Sequence, residues 1–295
     1  MSFHSISYAS LLSSSTESIV VVQKNLHCKD NKHDEFDLLG SCNGLVYGWN
    51  YLMRSFSLWN PATNEYRILP KSQDTYNYMG RLHGFGYDYK TDDYKLVIIH
   101  ENKENCLTEV YSLKSNLWKC FRSPRWGFHV DKLSGVLLNG ALHWFGPIAM
   151  DISEEKLKEL QLPMICDNFV NMGVLDGCLC VLATDEEVFE VWVMQDYEVQ
   201  ESWTKLYTIT YESIICDPRF PVELIGFLMN GEIMFKDPKM QSIILYNPKY
   251  DTARKPNMHG LRLLRAVSYF ESLVSLISIT SLDEGNREIS LELSL

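Results

Sequence analysis

The side chains that could do chemistry are all present, but their spacing serves chemistry poorly. The best metal-ligating pair is Cys178-Leu179-Cys180, whose alternation would put both thiols on one face of a strand. Two sulfurs are half of a tetrahedral zinc site, and neither CxxC nor HxxxH partners follow, so the pair reads as buried core thiols. His27-Cys28 has the same shortfall. The histidines at 4, 27, 33, 83, 100, 129, 143 and 259 lie outside any nucleophile motif, and His143 in "ALHWFG" reads as a hydrogen-bonded core residue. Asp88, Asp92, Asp93, Asp151 and Asp176 could be general acids or bases only if a radial fold gathered them. Each stands at a turn or strand end, where a short carboxylate bonds its own backbone. "GFGYD" lies in a strand setting and opens no helix, so it is not a dinucleotide signal. The expectation is therefore a chain with no catalytic residues, no metal site and no cofactor, and not an enzyme.

What must carry these residues is a repeat. In "SLWNPATNEYRILP", Trp59 precedes Asn60-Pro61, and Tyr66 stands seven residues on. Tyr111 and Trp118, Met150 and Leu157, and Tyr246 and Ala253 keep the same spacing, while Met194 and Trp203 are nine apart. The anchors at 59, 111, 150, 194 and 246 are 52, 39, 44 and 52 residues apart, the range of propeller blades and helical solenoids. Local period decides between them. "SIILYNP", "FEVWVMQ" and "YKLVIIH" are rich in β-branched and aromatic residues and are bounded by turn formers, as short strands are. Even "SEEKLKELQLP" reads as strand.

Upstream of the anchors, Asn43-Gly44, Asn139-Gly140, Asp176-Gly177 and Asn230-Gly231 each stand between a pair of short apolar runs. Such dipeptides supply the positive φ of type I′ hairpins. Each unit is thus strand, tight turn, strand, variable loop, strand, short turn, strand. The units run 38–69, 82–122, 134–162, 171–209 and 221–258. The fold class is all-β, a β-propeller expected to have six four-stranded antiparallel blades, the last closed by both termini. Residues 266–279 would supply inner strands of that blade and 18–23 an outer one. The domain reading is 1–37 as a segment contributing to closure, 38–279 as the propeller, and 280–295 as an acidic tail. "EISLELSL" within the tail alternates and could pair at an edge.

Composition narrows the partners. A 295-residue chain with 46% hydrophobic residues can bury a full core as one domain. Its 27 basic and 38 acidic residues give a net charge of −11, which disfavours nucleic acid and mildly favours a basic protein. The Ser-rich start lacks a basic and apolar leader, and Arg265, Glu271 and several serines break the apolar run near 263–282. Neither a secretory signal nor a membrane span is expected, and the site of action is read as intracellular, cytoplasm or nucleus. Eight cysteines, at 28, 42, 106, 120, 166, 178, 180 and 216, read as reduced thiols rather than a disulfide framework.

In chain order, "LLGSCNGLVYGW", "LWNPATNEYRILP", "GFGYDYKTDDYKLV", "EVYSLKSNLWK", "GVLLNGALHWF", "MGVLDGCLCVLA" and "VWVMQDYEVQESWTKLYTI" resemble the plant F-box-associated domain. This is the kelch-like C-terminal region of F-box/kelch-repeat proteins, the S-locus F-box group among them. The resemblance covers about residues 38–277. It implies a propeller that captures a target protein for ubiquitination by an SCF-type ligase. An N-terminal helical F-box docks on the Skp adaptor and, through it, the cullin. Residues 1–37 resemble the segment that follows an F-box rather than the F-box itself. Skp and cullin are therefore expected partners only if an F-box is supplied elsewhere, and a decoy that binds targets without ligase assembly is the alternative. A basic target, such as an S-RNase-like protein, fits the charge. A glycan-binding or enzymatic propeller is the remaining class, marked by acids clustered at a channel mouth.

In such a meander the second loop and the blade-to-blade connection share one face, and here they are the long, irregular segments. Loops on a rigid scaffold carry binding residues, and aromatic and Arg side chains anchor interfaces. The expected partner-binding residues are Tyr76, Tyr78, Arg81, Arg125, Trp126, Phe128, Phe169, Arg219 and Phe220. Trp126 and Tyr78 are the anchors, and Glu101, Glu104, Asp185, Glu186 and Glu187 select a basic partner.

Overall fold

Seven-residue spacing is a cross-strand pairing. Trp59 lies opposite Tyr66, Trp118 opposite Tyr111, Met150 opposite Leu157 and Ala253 opposite Tyr246. Met194 faces Trp203 across the longer turn. In the four seven-spaced turns the last turn residue is left-handed: Asn64, Asn116, Glu155 and Asp251, with φ between 49° and 58°. The first is fixed by its own side chain in three of them, where Asn60, Asp151 and Asn247 accept backbone N–H bonds on Oδ1. Short polar side chains thus set both ends of the turn, and the pairing follows.

The computed structural model describes residues 3–12, 21–24, 36–72, 81–101, 105–126, 134–144, 148–163, 169–184, 187–214, 216–217, 220, 222–258, 263, 265–276 and 289–294, with 21–24, 169–170 and 289–294 described by backbone alone. The N-terminal strands are β1 (Phe3–Ser7) and β2 (Val21–Lys24), with helix α1 (Tyr8–Leu12) between them. Five consecutive four-strand meanders follow. Blade 1 is β3 (Phe36–Cys42), β4 (Leu45–Asn50), β5 (Ser55–Asn60) and β6 (Glu65–Ile68). Blade 2 is β7 (Leu82–Asp88), β8 (Asp93–Glu101), β9 (Cys106–Ser112) and β10 (Leu117–Ser123). Blade 3 is β11 (Val136–Leu138), β12 (Ala141–Trp144), β13 (Ile148–Asp151) and β14 (Lys156–Glu159). Blade 4 is β15 (Phe169–Leu175), β16 (Cys178–Thr184), β17 (Val188–Met194) and β18 (Trp203–Thr210), followed by helix α2 (Tyr211–Ile214). Blade 5 is β19 (Glu223–Phe227), β20 (Ile233–Asp237), β21 (Ser242–Asn247) and β22 (Thr252–Arg254). The C-terminal strands are β23 (Arg265–Phe270) and β24 (Ile289–Ser294).

The expectation of six such blades is corrected: the chain forms five four-stranded blades by continuous meander, and what closes the ring is a composite sheet of order β2-β1-β24-β23. Its make-up also differs from the one read in the sequence. Residues 266–279 do not supply its inner strands in the plural, because β23 ends at Phe270. The segment read as an acidic tail supplies β24, which pairs on both sides, with β23 and with β1. Backbone pairing needs only donors and acceptors in register, so acidic composition does not keep this segment out of a sheet. The innermost strands β3, β7, β11, β15, β19 and β23 adjoin in that order, and β23 adjoins β3.

Three of the four expected type I′ hairpins have positive φ at both central residues, Asn43-Gly44, Asn139-Gly140 and Asp176-Gly177. Asn230-Gly231 does not. Only Gly231 is left-handed, and residues 228–232 form a wider loop closed by the Leu228 N–H to Glu232 carbonyl bond of 2.8 Å. The aromatic repeat residues pack as expected of blade interfaces: Trp59, Tyr111 and Trp144 are fully buried, and Trp59 lies 5.3 Å from the Phe3 ring of the closing sheet. Among the described residues no helix is long and apolar enough to cross a membrane.

Candidate functional site

The ring of inner strands encloses a channel of about 1030 Å³, lined by Leu39, Leu137, Leu224 and Phe227 and by glycines such as Gly40 and Gly173. A methyl group added at Gly173 would come within 3.0 Å of Leu224 Cδ2, so the glycine lets adjacent strands approach. Such a lining can hold an apolar group. It offers little to activate a nucleophile, because the charged residues among its described lining, Asp176 and Glu271, stand at one end, at the tight-turn mouth. Cys180, on the channel-facing blade 4, is fully buried, and burial pushes its thiol up to about 12. The carboxylates met first in the sequence are occupied locally: Asp93 accepts the Lys114 N–H at 2.8 Å, and Asp151 those of Ser153 and Glu154. His143 is buried between the Val136 carbonyl and Tyr197 OH, the latter at 2.8 Å.

The opposite face is built from the connections between blades. Strand β8 ends at Glu101, whose side chain is only 7% exposed. Its Oε2 lies 3.3 Å from Arg125 Nε, and its Oε1 accepts the backbone N–H of Trp126 at 2.6 Å. One carboxylate therefore fixes the start of the blade 2 to blade 3 connection and leaves the Trp126 indole 36% exposed. Glu101 positions this loop instead of facing a partner directly, which corrects its expected role. Arg81 is also displaced from the expected surface: it is 8% exposed and sits just before β7. Tyr76, Tyr78, Glu104, Phe128, Asp185, Glu186 and Arg219 lie outside the described residues, as does the side chain of Phe169. The structure thus brings together Glu101, Arg125 and Trp126.

Sequence reasoning missed a second feature of this face. Between blades 4 and 5 lies a cleft of about 910 Å³ whose rim carries Glu187, Glu212, Asp217, Asp237, Lys239 and Met240. Lys239 Nζ lies 2.7 Å from Asp217 and over the ring of the exposed Phe220, while Lys255 Nζ lies 3.1 Å from Asp237. Four carboxylates against these two ammonium groups leave the cleft acidic. Burial, with Asp237 and Asp217 nearby, pushes the Cys216 thiol there up to about 11, so it stays protonated near neutrality. Glu187 was legible as a loop acid; Glu212, Asp217 and Asp237 come from separate stretches that only blade stacking joins.

This architecture defines a β-propeller with an apolar channel and a face of long connections, a scaffold class that presents loops on a rigid ring. The chain belongs to the F-box associated beta propeller domain family, whose description its residues 1–276 match. It is similar to two proteins of Arabidopsis thaliana, the F-box protein CPR1, at 30% identity over 59% of this chain and 52% of that protein, and the F-box/kelch-repeat protein At3g23880, at 31% over 60% and 53%. The Arabidopsis F-box protein At3g07870 is 27% identical over 77% of this chain and 67% of its own length. The chain spans about half the length of the first two. Among solved structures, a virginiamycin B lyase from Staphylococcus aureus shows a loose likeness in architecture, with 9% identity, a TM-score of 0.47 and coverage of 94% and 85%.

Proposed function

We propose that this propeller recognises a target protein as the substrate-binding component of an SCF-type ubiquitin ligase, and that it binds rather than catalyses. Membership of the F-box associated propeller family is the observation that supports this reading most. Contact with the Skp adaptor and the cullin would run through an F-box, a helical module outside the propeller, and an intracellular site of action follows from the ligase role. The loop face is the proposed contact surface. Trp126, held out by Glu101, supplies an aromatic anchor of the kind that dominates interface energetics, and Tyr76, Tyr78, Arg125, Phe128, Phe169, Arg219 and Phe220 would surround it. The acidic cleft with Glu187, together with Glu104 and Glu186, would favour a basic target.

The test is capture from plant extract with the full chain as bait, read by mass spectrometry for target and adaptor peptides. Wild-type chain is expected to enrich a target that the combined Tyr78→Ala and Trp126→Ala variant loses while its melting temperature is unchanged. Undiminished capture by that variant would remove the loop face from the reading.

A further inference from the structure

The face opposite the long connections carries a feature that target capture by loops leaves unused. Met229 and Leu273 are 80% and 74% exposed, and Val174 and Phe270 are also exposed. All four line the tight-turn mouth of the central channel. Single exposed apolar residues are ordinary on a protein surface, but four around one concave opening form a patch. Leu273 is held out by its neighbours. Ser272 Oγ donates to the Asn43 carbonyl at 2.9 Å, and Asn60 Nδ2 donates to the carbonyls of Ser272 and Val274 at 3.0 and 2.7 Å. Glu65 accepts from Ser275 Oγ at 3.1 Å and from the Leu276 N–H at 2.5 Å. The strap 272–276 is thus tied to blade 1 on both sides of an exposed leucine. Met229 tips the wide loop 228–232, where an unbranched thioether adapts to varied shapes. The charge at this mouth has one sign: among the described lining residues Asp176 and Glu271 are the charged ones.

We propose that the tight-turn mouth is a docking site for a protein segment that places a large apolar side chain in the channel and a Lys or Arg beside Asp176 and Glu271. The channel walls just inside, Leu224 and Phe227 among them, offer the apolar surface such a side chain would bury. A basic flank answers both the two carboxylates and the chain's net charge of −11. The site lies on the opposite face from Trp126 and stands independently of what the loop face binds.

The experiment pans a random dodecapeptide phage library on the full chain, then measures the selected peptides by fluorescence anisotropy. Peptides combining a large apolar residue with adjacent Lys or Arg are expected. Their affinity should fall about tenfold or more on the combined Met229→Asp and Leu273→Asp variant. A smaller loss, about threefold, is expected on Asp176→Asn, which keeps the left-handed turn but removes the charge. Tyr89→Asp, an exposed change on the same face outside the channel, should leave binding unchanged. Selected peptides without basic residues, equal affinity for the double variant, or no saturable binding would each overturn the proposal. So would concentration-dependent dimerisation abolished by the double variant, which would assign the mouth to a second copy of the chain.

Discussion

Trp118 donates its indole N–H to the Pro70 carbonyl oxygen at 2.7 Å, across the boundary between blade 2 and blade 1. Trp203 does the same to Gln161 at 2.8 Å, between blades 4 and 3. Each tryptophan sits early in the outermost strand of its blade, and each carbonyl lies two residues past the outermost strand of the blade before. Successive blades are separate sheets, so these bonds fasten edges that no strand ladder joins. Replacing Trp118 or Trp203 by Phe keeps most of the ring packing and removes the donor. A loss of about 1 kcal/mol for each, additive in the double variant, is expected in urea unfolding. Unchanged midpoints in both would show that the latch carries no stability.

Two buried histidines make the ring acid-sensitive. Burial, with Arg265 nearby, lowers the His83 pKa to about 3, and burial with Lys158 lowers that of His143 to about 4, against hydrogen bonds to the Val136 and Ala141 backbone. Both are depressed below their ordinary value near 6.5, so the unfolded chain binds more protons once the pH falls under that value. Their contribution is full above pH about 6.5 and is lost progressively towards pH 3 to 4. Stability should fall with a slope of up to about 1.4 kcal/mol per pH unit per histidine. Chemical denaturation from pH 7 to pH 4, compared with the His143→Gln variant, measures it; an unchanged slope in the variant would refute the assignment for His143.

Lys95 is the keystone of a buried polar cluster between blades 2 and 3. Its Nζ lies 3.0 Å from Asp88 Oδ2, 2.9 Å from the Ile152 carbonyl and 3.2 Å from Glu155 Oε1. Burial pushes the Asp88 carboxyl up, but bonds from Ser153, Thr91, Lys95 and the Lys90 N–H outweigh it and hold the group well below the usual carboxylate range. Lys95→Met strands a buried carboxylate and should cost roughly 3–5 kcal/mol. Adding Asp88→Asn should recover some of that loss. A double-mutant cycle with additive effects would show that the two groups are not coupled.

Two glycines with similar φ separate backbone strain from crowding. Gly140, at φ 75°, has open space where a Cβ would stand, so Gly140→Ala should cost only the left-handed penalty of about 1 kcal/mol. At Gly44, with φ 84°, a Cβ would meet Ser272 Oγ at 2.1 Å and the Phe270 carbonyl at 2.8 Å. Gly44→Ala should therefore cost more than Gly140→Ala in thermal unfolding and disturb the strap that carries Leu273. Equal losses would mean that the strap yields freely.

Much of this was legible because it is local. Trp59 and Tyr66 meet across a turn whose own Asn60 and Asn64 set its geometry, so spacing alone reveals the pair. Glu101 shows where that legibility stops. Its residue type suggested a charge offered to a partner, but its burial beside Arg125 and the Trp126 N–H follows from where the next connection returns. The acidic cleft is hidden for the same reason, since Glu187, Asp217 and Asp237 become neighbours only when blades 4 and 5 stack.

The sequence by itself determined the repeating unit, its hairpins, the strand pairs and the reading as a plant F-box-associated propeller, because each rests on contacts within a few tens of residues. Tertiary structure alone decided how the ring closes and what faces its opening. Residues 3–7 pair with 290–294, and the strap at 272–276 bonds to Asn43, Asn60 and Glu65, more than two hundred positions away. No local period encodes such contacts, since they depend on the summed twist and stacking of every blade between them.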